Sequence, residues 1–146
     1  MGKNFLFLGV LFLPVQALAA VTLSVMPIDG NNSLRLEQGL SGSNKAEVRV
    51  RVVSAGGNRY QVFQRVVGPL VNEKGQSLDL QAVETQSLPN SNTGGTLYLQ
   101  NPQSLGLSEE LVYTSPENGQ NDAFIIGYTL RPEYLSVGTR FLVGKF

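Results

Sequence analysis

The chain has 146 residues, of which 42% are hydrophobic and 15% are charged, and its 11 basic and 11 acidic residues give a formal net charge of zero. It contains no histidine, cysteine or tryptophan. This composition excludes disulfides, Ser-His-Asp triads and Cys-His pairs. It also excludes the common zinc and copper sites, because these metals usually bind imidazole or thiolate. The neutral charge gives no electrostatic reason to expect a nucleic-acid partner.

Residues 1–19 have the layout of a secretory signal peptide. Lys3 precedes an apolar run at 5–15, and the Ala-Leu-Ala sequence at 17–19 fits a small-x-small cleavage site. A membrane helix needs about 20 apolar residues. This apolar run is shorter, and Pro14 interrupts it. We therefore expect export to the periplasm, cell surface or extracellular space, with no membrane span after cleavage. A retained anchor helix is the alternative.

Cleavage would leave residues 20–146, which is enough chain for a single domain with one core. An exported chain without cysteines favours a bacterial protein that relies on its core rather than on disulfides. The sequence ends inside a predicted strand at Phe146. This end is either the natural C-terminus or the sign of a truncated domain that lacks one or more strands.

Alternation with period two dominates the mature chain. It is clearest at 45–53, KAEVRVRVV, where valines at every second position alternate with charged residues, as in a half-buried antiparallel strand. Further strands are predicted at 21–25, 33–37, 59–67, 78–82, 96–100, 111–115, 123–130 and 138–146, with a polar loop at 87–95 and helical turns at 105–111 and 132–135. The pattern predicts an all-β, immunoglobulin-like antiparallel β-sandwich with Greek-key connections, and a closed barrel is the second choice.

The strands at 45–53 and 59–67 are predicted to form a hairpin around a three-residue loop. This register pairs Val50 with Val62 and Glu47 with Arg65, and it places Gly57 where the loop needs a left-handed residue. A two-residue loop gives an alternative register. If the two strands lie in different sheets, neither register applies.

Catalysis without histidine or cysteine would need paired carboxylates or a serine–lysine dyad. Glu109 and Glu110 are adjacent, whereas the acids of glycosidases face each other across a cleft. The lysines considered are Lys45, Lys74 and Lys145. Lys45 follows polar turn residues and Lys74 sits in a turn, so neither has the apolar setting that activates a lysine. We therefore predict no enzyme activity, no catalytic or metal-binding residues and no cofactor.

Two loops are rich in the oxygen ligands that calcium prefers. The first contains Asp29, Asn31 and Asn32, and the second, which is the better candidate, contains Glu117, Asn118, Asn121 and Asp122. These residue types also suit ordinary turns, so the loops alone do not indicate a metal. Asn31-Asn32-Ser33 is a glycosylation sequon, relevant if the host glycosylates asparagine.

Two surface patches would suit ligands. A basic stripe on the predicted hairpin would suit an acidic polymer, although the nearby Glu47 and the neutral net charge favour an ordinary solvated sheet face. The stripe consists of Arg49, Arg51, Arg59 and Arg65. A pair of exposed tyrosines would stack on a sugar, although we expect at least one of Tyr98 and Tyr113 in the core. The tyrosines are Tyr60, Tyr98, Tyr113, Tyr128 and Tyr134. A carbohydrate-binding or other ligand-binding module is therefore the alternative function, with its binding residues unknown.

The alternating N-terminal segment VTLSV and the apolar final strand GTRFLVGKF give the mature chain a distinctive layout. This layout resembles bacterial surface-fibre subunits of the pilin-like, immunoglobulin-like kind, although the disulfide common in them is absent. The resemblance implies a structural or adhesive surface protein whose partners are other subunits, including copies of itself. It further implies that residues 21–27 complete a neighbour's sheet by strand addition, in which case residues 20–30 are mobile or exchanged between molecules.

Overall fold

The computed structural model describes residues 21–28, 33–37, 44–72, 75–131 and 140–145. Their regular structure is nearly all β, which confirms the predicted class. The strands are β1 (Val21–Pro27), β2 (Ser33–Glu37), β3 (Lys45–Ser54), β4 (Gln61–Gln64), β5 (Leu70–Asn72), β6 (Ser77–Leu78), β7 (Val83–Pro89), β8 (Thr96–Leu97), β9 (Gln103–Ser104), β10 (Glu110–Thr114), β11 (Asp122–Leu130) and β12 (Arg140–Lys145). A 3-10 helix at Leu80–Ala82 precedes β7. Among these residues no helix is long and apolar enough to cross a membrane.

The strands form three antiparallel sheets. Sheet I has the order β1-β3-β11-β7-β9, sheet II the order β4-β10-β8, and sheet III the order β2-β12-β5-β6. Sheets I and II contribute side chains to one hydrophobic core, and Leu70 of sheet III joins it. The predicted signal peptide and the predicted helical turn at 132–135 lie outside the described residues.

A two-stranded ribbon connects sheet I to sheet II. In sheet I, β3 pairs with β11, and in sheet II, β4 pairs with β10. The connecting segments 55–60 and 115–121 stay hydrogen-bonded to each other, since Gly57 donates to the Asn118 carbonyl and Ser115 donates to the Tyr60 carbonyl. The chain therefore passes from one sheet to the other twice along the same path.

This crossing shows that the predicted hairpin is wrong. Val50 lies opposite Val25 and Phe124 rather than Val62, because β3 and β4 belong to different sheets. Gly57 does adopt a positive φ of 87°, as the turn chemistry predicted. The turn residues therefore indicated where the strand ends, but they did not indicate which strand pairs with it.

Alternation in β3 and β11 builds the core, as the sequence predicted. On β3 the buried residues are Val48, Val50 and Val52, and on β11 they are Phe124, Ile126, Tyr128 and Leu130. Phe124 stacks on Tyr113 of sheet II with ring centroids 4.8 Å apart. Burying one such side chain contributes about 1.5–3 kcal/mol, so these two central strands supply a large part of the folding free energy.

Several local predictions differ from the structure. The strands expected at 59–67 and 96–100 shorten to β4 and to the two-residue strand β8. The strand expected at 78–82 is a two-residue strand, β6, followed by the 3-10 helix. No helical turn forms at 105–111, where the chain bends before entering β10. The loop expected at 87–95 begins inside β7, whose inward residues are Val83, Thr85 and Ser87. Two of these three inward residues are polar, so a hydrophobicity pattern alone does not reveal the alternation of β7.

Candidate functional site

The candidate assembly site is β1, the first strand of the predicted mature chain. It pairs antiparallel with β3 of its own chain along its whole length, from Val21 opposite Ser54 to Pro27 opposite Val48. Its side chains alternate between half-buried and exposed. In the single chain the segment is therefore paired, and strand addition would require it to be exchanged between molecules.

The position of β1 leaves one side of the strand open. Among the described residues β1 ends the strand order of sheet I, and the opposite edge is the two-residue strand β9. An edge strand presents unpaired N–H and C=O groups that can pair with another chain. On the outer face Met26 is 55% exposed, and Ile28 and Val53 are also exposed, while Arg49 and Arg51 of β3 lie opposite Met26 and Ser24. This edge is therefore suited to contact with another protein.

The attachment of β1 to the core is weaker than that of the central strands. Val21, Leu23 and Val25 pack against the core but are only partly buried, whereas Val50 on the neighbouring strand is fully buried. Releasing β1 would therefore expose less apolar surface than releasing β3 or β11. Elements with few buried contacts open most readily, so we expect β1 to open more readily than the central strands β3 and β11.

A buried carboxylate, Asp122, fixes the loop that precedes β8. Its Oδ2 accepts hydrogen bonds from the Gly94 and Gly95 amides, both at 2.9 Å, and a short one from the Tyr113 hydroxyl. Its Oδ1 accepts from the Ala123 amide at 2.7 Å. Asp122 is 7% exposed, so these donors replace the water that the carboxylate loses on burial.

Burial raises the pKa of Tyr113 far above its ordinary value, and the neighbouring Asp122 carboxylate adds to the shift. Burial likewise raises the pKa of Tyr60. The Tyr60 hydroxyl donates to the Gln120 carbonyl at 2.8 Å, and its amide donates to Ser115 Oγ at 2.9 Å. Both tyrosines are therefore protonated structural donors at neutral pH.

The better calcium candidate is occupied by these protein contacts. Asn121 Oδ1 accepts a hydrogen bond from the Ser54 amide at 2.7 Å, and Asp122 accepts the hydrogen bonds described above. Glu117 and Asn118 are exposed. In the described part of the chain no three acidic side chains come close enough to hold a metal ion. The other loop, with Asp29, Asn31, Asn32 and the sequon, lies outside the described residues apart from Ser33.

The structure separates the two adjacent glutamates. Glu109 lies 3.9 Å from Arg65 in an exposed ion pair, a type that contributes about 0–1 kcal/mol. Glu110 instead turns inward and accepts from Gln64 Nε2 at 3.0 Å. Lys45 is exposed at the start of β3, Lys74 lies outside the described residues, and Lys145 ends β12.

The predicted basic stripe does not form. Arg49 and Arg51 lie on the outer face of β3 in sheet I, whereas Arg65 follows β4 in sheet II. Arg59 lies in the crossing between them. The stripe depended on the hairpin, so it is lost with the hairpin.

The described tyrosines do not form a sugar platform. Tyr60, Tyr113 and Tyr128 are buried, and this confirms the prediction that one of Tyr98 and Tyr113 belongs to the core. Tyr98 is exposed, and Tyr134 lies outside the described residues. The described residues thus offer one exposed tyrosine rather than a coplanar pair.

Sequence reasoning missed a second polar cluster, which lies between the sheets. Gln64, Thr85 and Tyr128 are buried there and hydrogen-bonded, with Glu110 at one side. The sequence did contain a signal for this cluster. Tyr60, Val62 and Gln64 lie at every second position of one segment, and all three are buried. That pattern placed a glutamine at a core position, which is rare for this residue type.

Comparison with protein families, curated proteins and solved structures found no match.

Proposed function

We propose that the chain is an exported, non-catalytic structural or adhesive surface protein, a pilin-like fibre subunit with an immunoglobulin-like Greek-key fold. The observation that carries the proposal is the position of β1. It is an alternating seven-residue strand that, among the described residues, lies at the edge of sheet I, directly after the signal-peptide layout of residues 1–19. Its partners would be other subunits, including copies of itself.

Assembly would proceed by exchange of β1 between subunits. In the single chain β1 fills its own sheet edge, whereas in a fibre β1 of one subunit fills the same place in the next. The same pairs, such as Val25 with Val50, form in either arrangement, so the exchange changes which molecule supplies the strand and leaves the contacts intact. Mass action then favours the exchanged form as concentration rises.

Engineered cysteines test this exchange, because the natural chain has none. Thr22 and Val53 are paired across β1 and β3, with both side chains exposed. A Thr22→Cys/Val53→Cys protein, residues 20–146, would be held reduced at rising concentrations and then oxidised. We expect a ladder of disulfide-linked multimers on non-reducing gels, increasing with concentration. Intrachain disulfides alone at every concentration would overturn the assembly mode.

The matched control is Arg49→Cys/Ile125→Cys. This pair lies on the same outer face but joins the central strands β3 and β11, which exchange would not separate, so it should give monomers. Export is tested separately by N-terminal sequencing of the protein recovered outside the cytoplasm. A mature chain starting at residue 20 supports export, and a cytoplasmic chain that retains residues 1–19 contradicts it.

A further inference from the structure

Alternate backbone groups of β1 point away from its own sheet. The Ile28 amide donates to the Glu47 carbonyl at 2.9 Å, which continues the register of Pro27 opposite Val48. Hydrogen-bonded and non-hydrogen-bonded pairs alternate along an antiparallel ladder, so the even-numbered residues of β1 bond to β3. The N–H and C=O groups of the odd-numbered residues therefore point to the outer edge of the strand. The odd-numbered residues of β1 are Val21, Leu23, Val25 and Pro27.

This edge lacks most of the features that keep edge strands from pairing. Natural edge strands are usually protected by charges, prolines or bulges. Strand β1 pairs with β3 in one continuous register and contains no charged residue. The other described strands of five or more residues each contain at least one charged residue. Pro27, at the end of β1, has no N–H to donate, so the capacity for further pairing lies at residues 21–25.

We propose that this edge pairs with the same edge of a second copy of the chain. The two β1 strands would lie antiparallel across a two-fold axis, with Leu23 opposite Leu23 of the second copy and Val21 opposite Val25. Every outward N–H of residues 21–25 then finds a carbonyl, and about six interstrand hydrogen bonds form. The two molecules would share one continuous sheet through an isologous contact.

The side chains fit this register on both faces. Leu23 and Val25 are half-buried on the inner face, and the pairing places them beside apolar residues of the second copy. A shift by one residue would set inward side chains beside outward ones. On the outer face Thr22 lies opposite Ser24, a hydroxyl pair of the kind that stabilises antiparallel strands. A shift by two residues would place Pro27, which lacks the donor, at a hydrogen-bonded position.

A second copy is also compatible in charge, because β1 places no charged side chain near the axis. Arg49 and Arg51 of β3 lie opposite Met26 and Ser24. The β3 strands of the two copies would be three strand spacings apart, about 14 Å. This distance exceeds the Debye length of about 8 Å at physiological ionic strength, so salt screens their repulsion. The inference does not depend on exchange, because β1 ends the described strand order of sheet I whichever molecule supplies it.

Single cysteines on the outer face test the pairing, because the natural chain has none. Thr22→Cys and Ser24→Cys proteins would be purified separately, mixed in equal amounts and oxidised mildly. In a mixed dimer the two cysteines lie opposite each other, with Cα atoms about 4.5 Å apart. In a dimer of one variant they lie about 8 Å apart on the diagonal, beyond the reach of a disulfide. We therefore expect the mixed disulfide dimer as the main product, identified by its intact mass.

Three outcomes of this experiment would overturn the proposal. They are dimers in the proportions of random pairing, a Ser24→Cys homodimer as the main product, and the absence of any disulfide dimer. Exchange of β1 without edge pairing also gives no disulfide here, because Thr22 then lies beside Val53 of the other molecule. The cysteine pair at Thr22 and Val53 therefore reports exchange, and the mixture reports edge pairing.

Removal of one outward N–H tests the pairing without a disulfide. Val25→Pro deletes a donor at the edge but leaves the ladder between β1 and β3 intact, because the Val25 N–H points away from β3. Val25→Ala is the matched control, since it also shortens the side chain but keeps the N–H. In sedimentation equilibrium we expect the wild type and Val25→Ala to dimerise and Val25→Pro to lose the dimer. A monomeric wild type, or a Val25→Pro protein that dimerises like Val25→Ala, would contradict edge pairing.

Discussion

Replacing Asp122 tests whether the buried carboxylate holds the loop before β8. The side chain accepts four hydrogen bonds, of which those from Gly94, Gly95 and Tyr113 converge on Oδ2. A buried group that loses its partner costs about 1–3 kcal/mol. Gly94 is an exposed residue, whereas Tyr113 is fully buried, so water can replace the carboxylate more readily beside the glycine than beside the tyrosine. We therefore expect Asp122→Ala to lower the free energy of unfolding by about 2–4 kcal/mol.

The conservative substitution should cost less. Asp122→Asn can keep an oxygen at the Oδ2 position, where the hydrogen bonds persist but no longer reach a charged acceptor. Its amide NH₂ then takes the Oδ1 position and cannot accept the hydrogen bond from the Ala123 amide. We expect about 1–2 kcal/mol, since hydrogen bonds to a charged acceptor are roughly twice as strong as neutral ones. Urea unfolding measures the difference in free energy of unfolding, provided that the dependence of this free energy on urea concentration has the same slope in each protein. Asp79→Asn is the matched control, because Asp79 is exposed and caps the 3-10 helix, and it should change stability by less than about 0.5 kcal/mol.

A double-mutant cycle isolates the contact between Asp122 and Tyr113. If the hydroxyl donates to the carboxylate, Tyr113→Phe should cost less in the Asp122→Ala protein than in the wild type. A difference of about 0.5–3 kcal/mol is typical of residues in one network. Strictly additive effects would refute the contact. An Asp122→Ala protein as stable as the wild type would refute the assignment of this carboxylate as the anchor of the loop.

Three further outcomes are expected. Gly95→Ala should destabilise the fold by about 1–3 kcal/mol, because a Cβ at this position would overlap the Tyr113 hydroxyl and the backbone carbonyl of Thr114. An unchanged urea midpoint would contradict this. Val50→Ala should lower the free energy of unfolding by about 2–3 kcal/mol through lost burial and a cavity. Val53→Ala, on the exposed face of the same strand, should lower it by under about 1 kcal/mol. Equal losses would contradict the alternation of buried and exposed residues in β3. Burial raises the pKa of the three buried tyrosines, so the unfolded chain loses these protons first. The free energy of unfolding should then fall above about pH 10, by up to about 1.4 kcal/mol per pH unit for each tyrosine. Urea unfolding measured at rising pH checks this, and a midpoint that stays constant into the alkaline range would show that the hydroxyls are not buried.

The faces of the strands could be predicted from the sequence because alternation is a local property. Successive side chains of a strand point to opposite sides, so the valines of β3 and the apolar residues of β11 indicated their buried faces without any knowledge of neighbours. The same logic predicted β1. It failed for β7, where Thr85 and Ser87 occupy inward positions, because a buried polar residue is stabilised by partners that lie far away in the sequence.

By itself, the sequence determined the all-β class, the faces of the clearest strands and the absence of histidine and cysteine chemistry. Only the tertiary structure decided which strands pair, because pairing depends on contacts between distant segments and not on the turn that separates neighbours. Thus β3 ends at a hairpin-like turn but pairs with β1 and β11. The same long-range packing brings Gln64 to Thr85 and Asp122 to Gly94, and neither contact has a sequence spacing that reveals it.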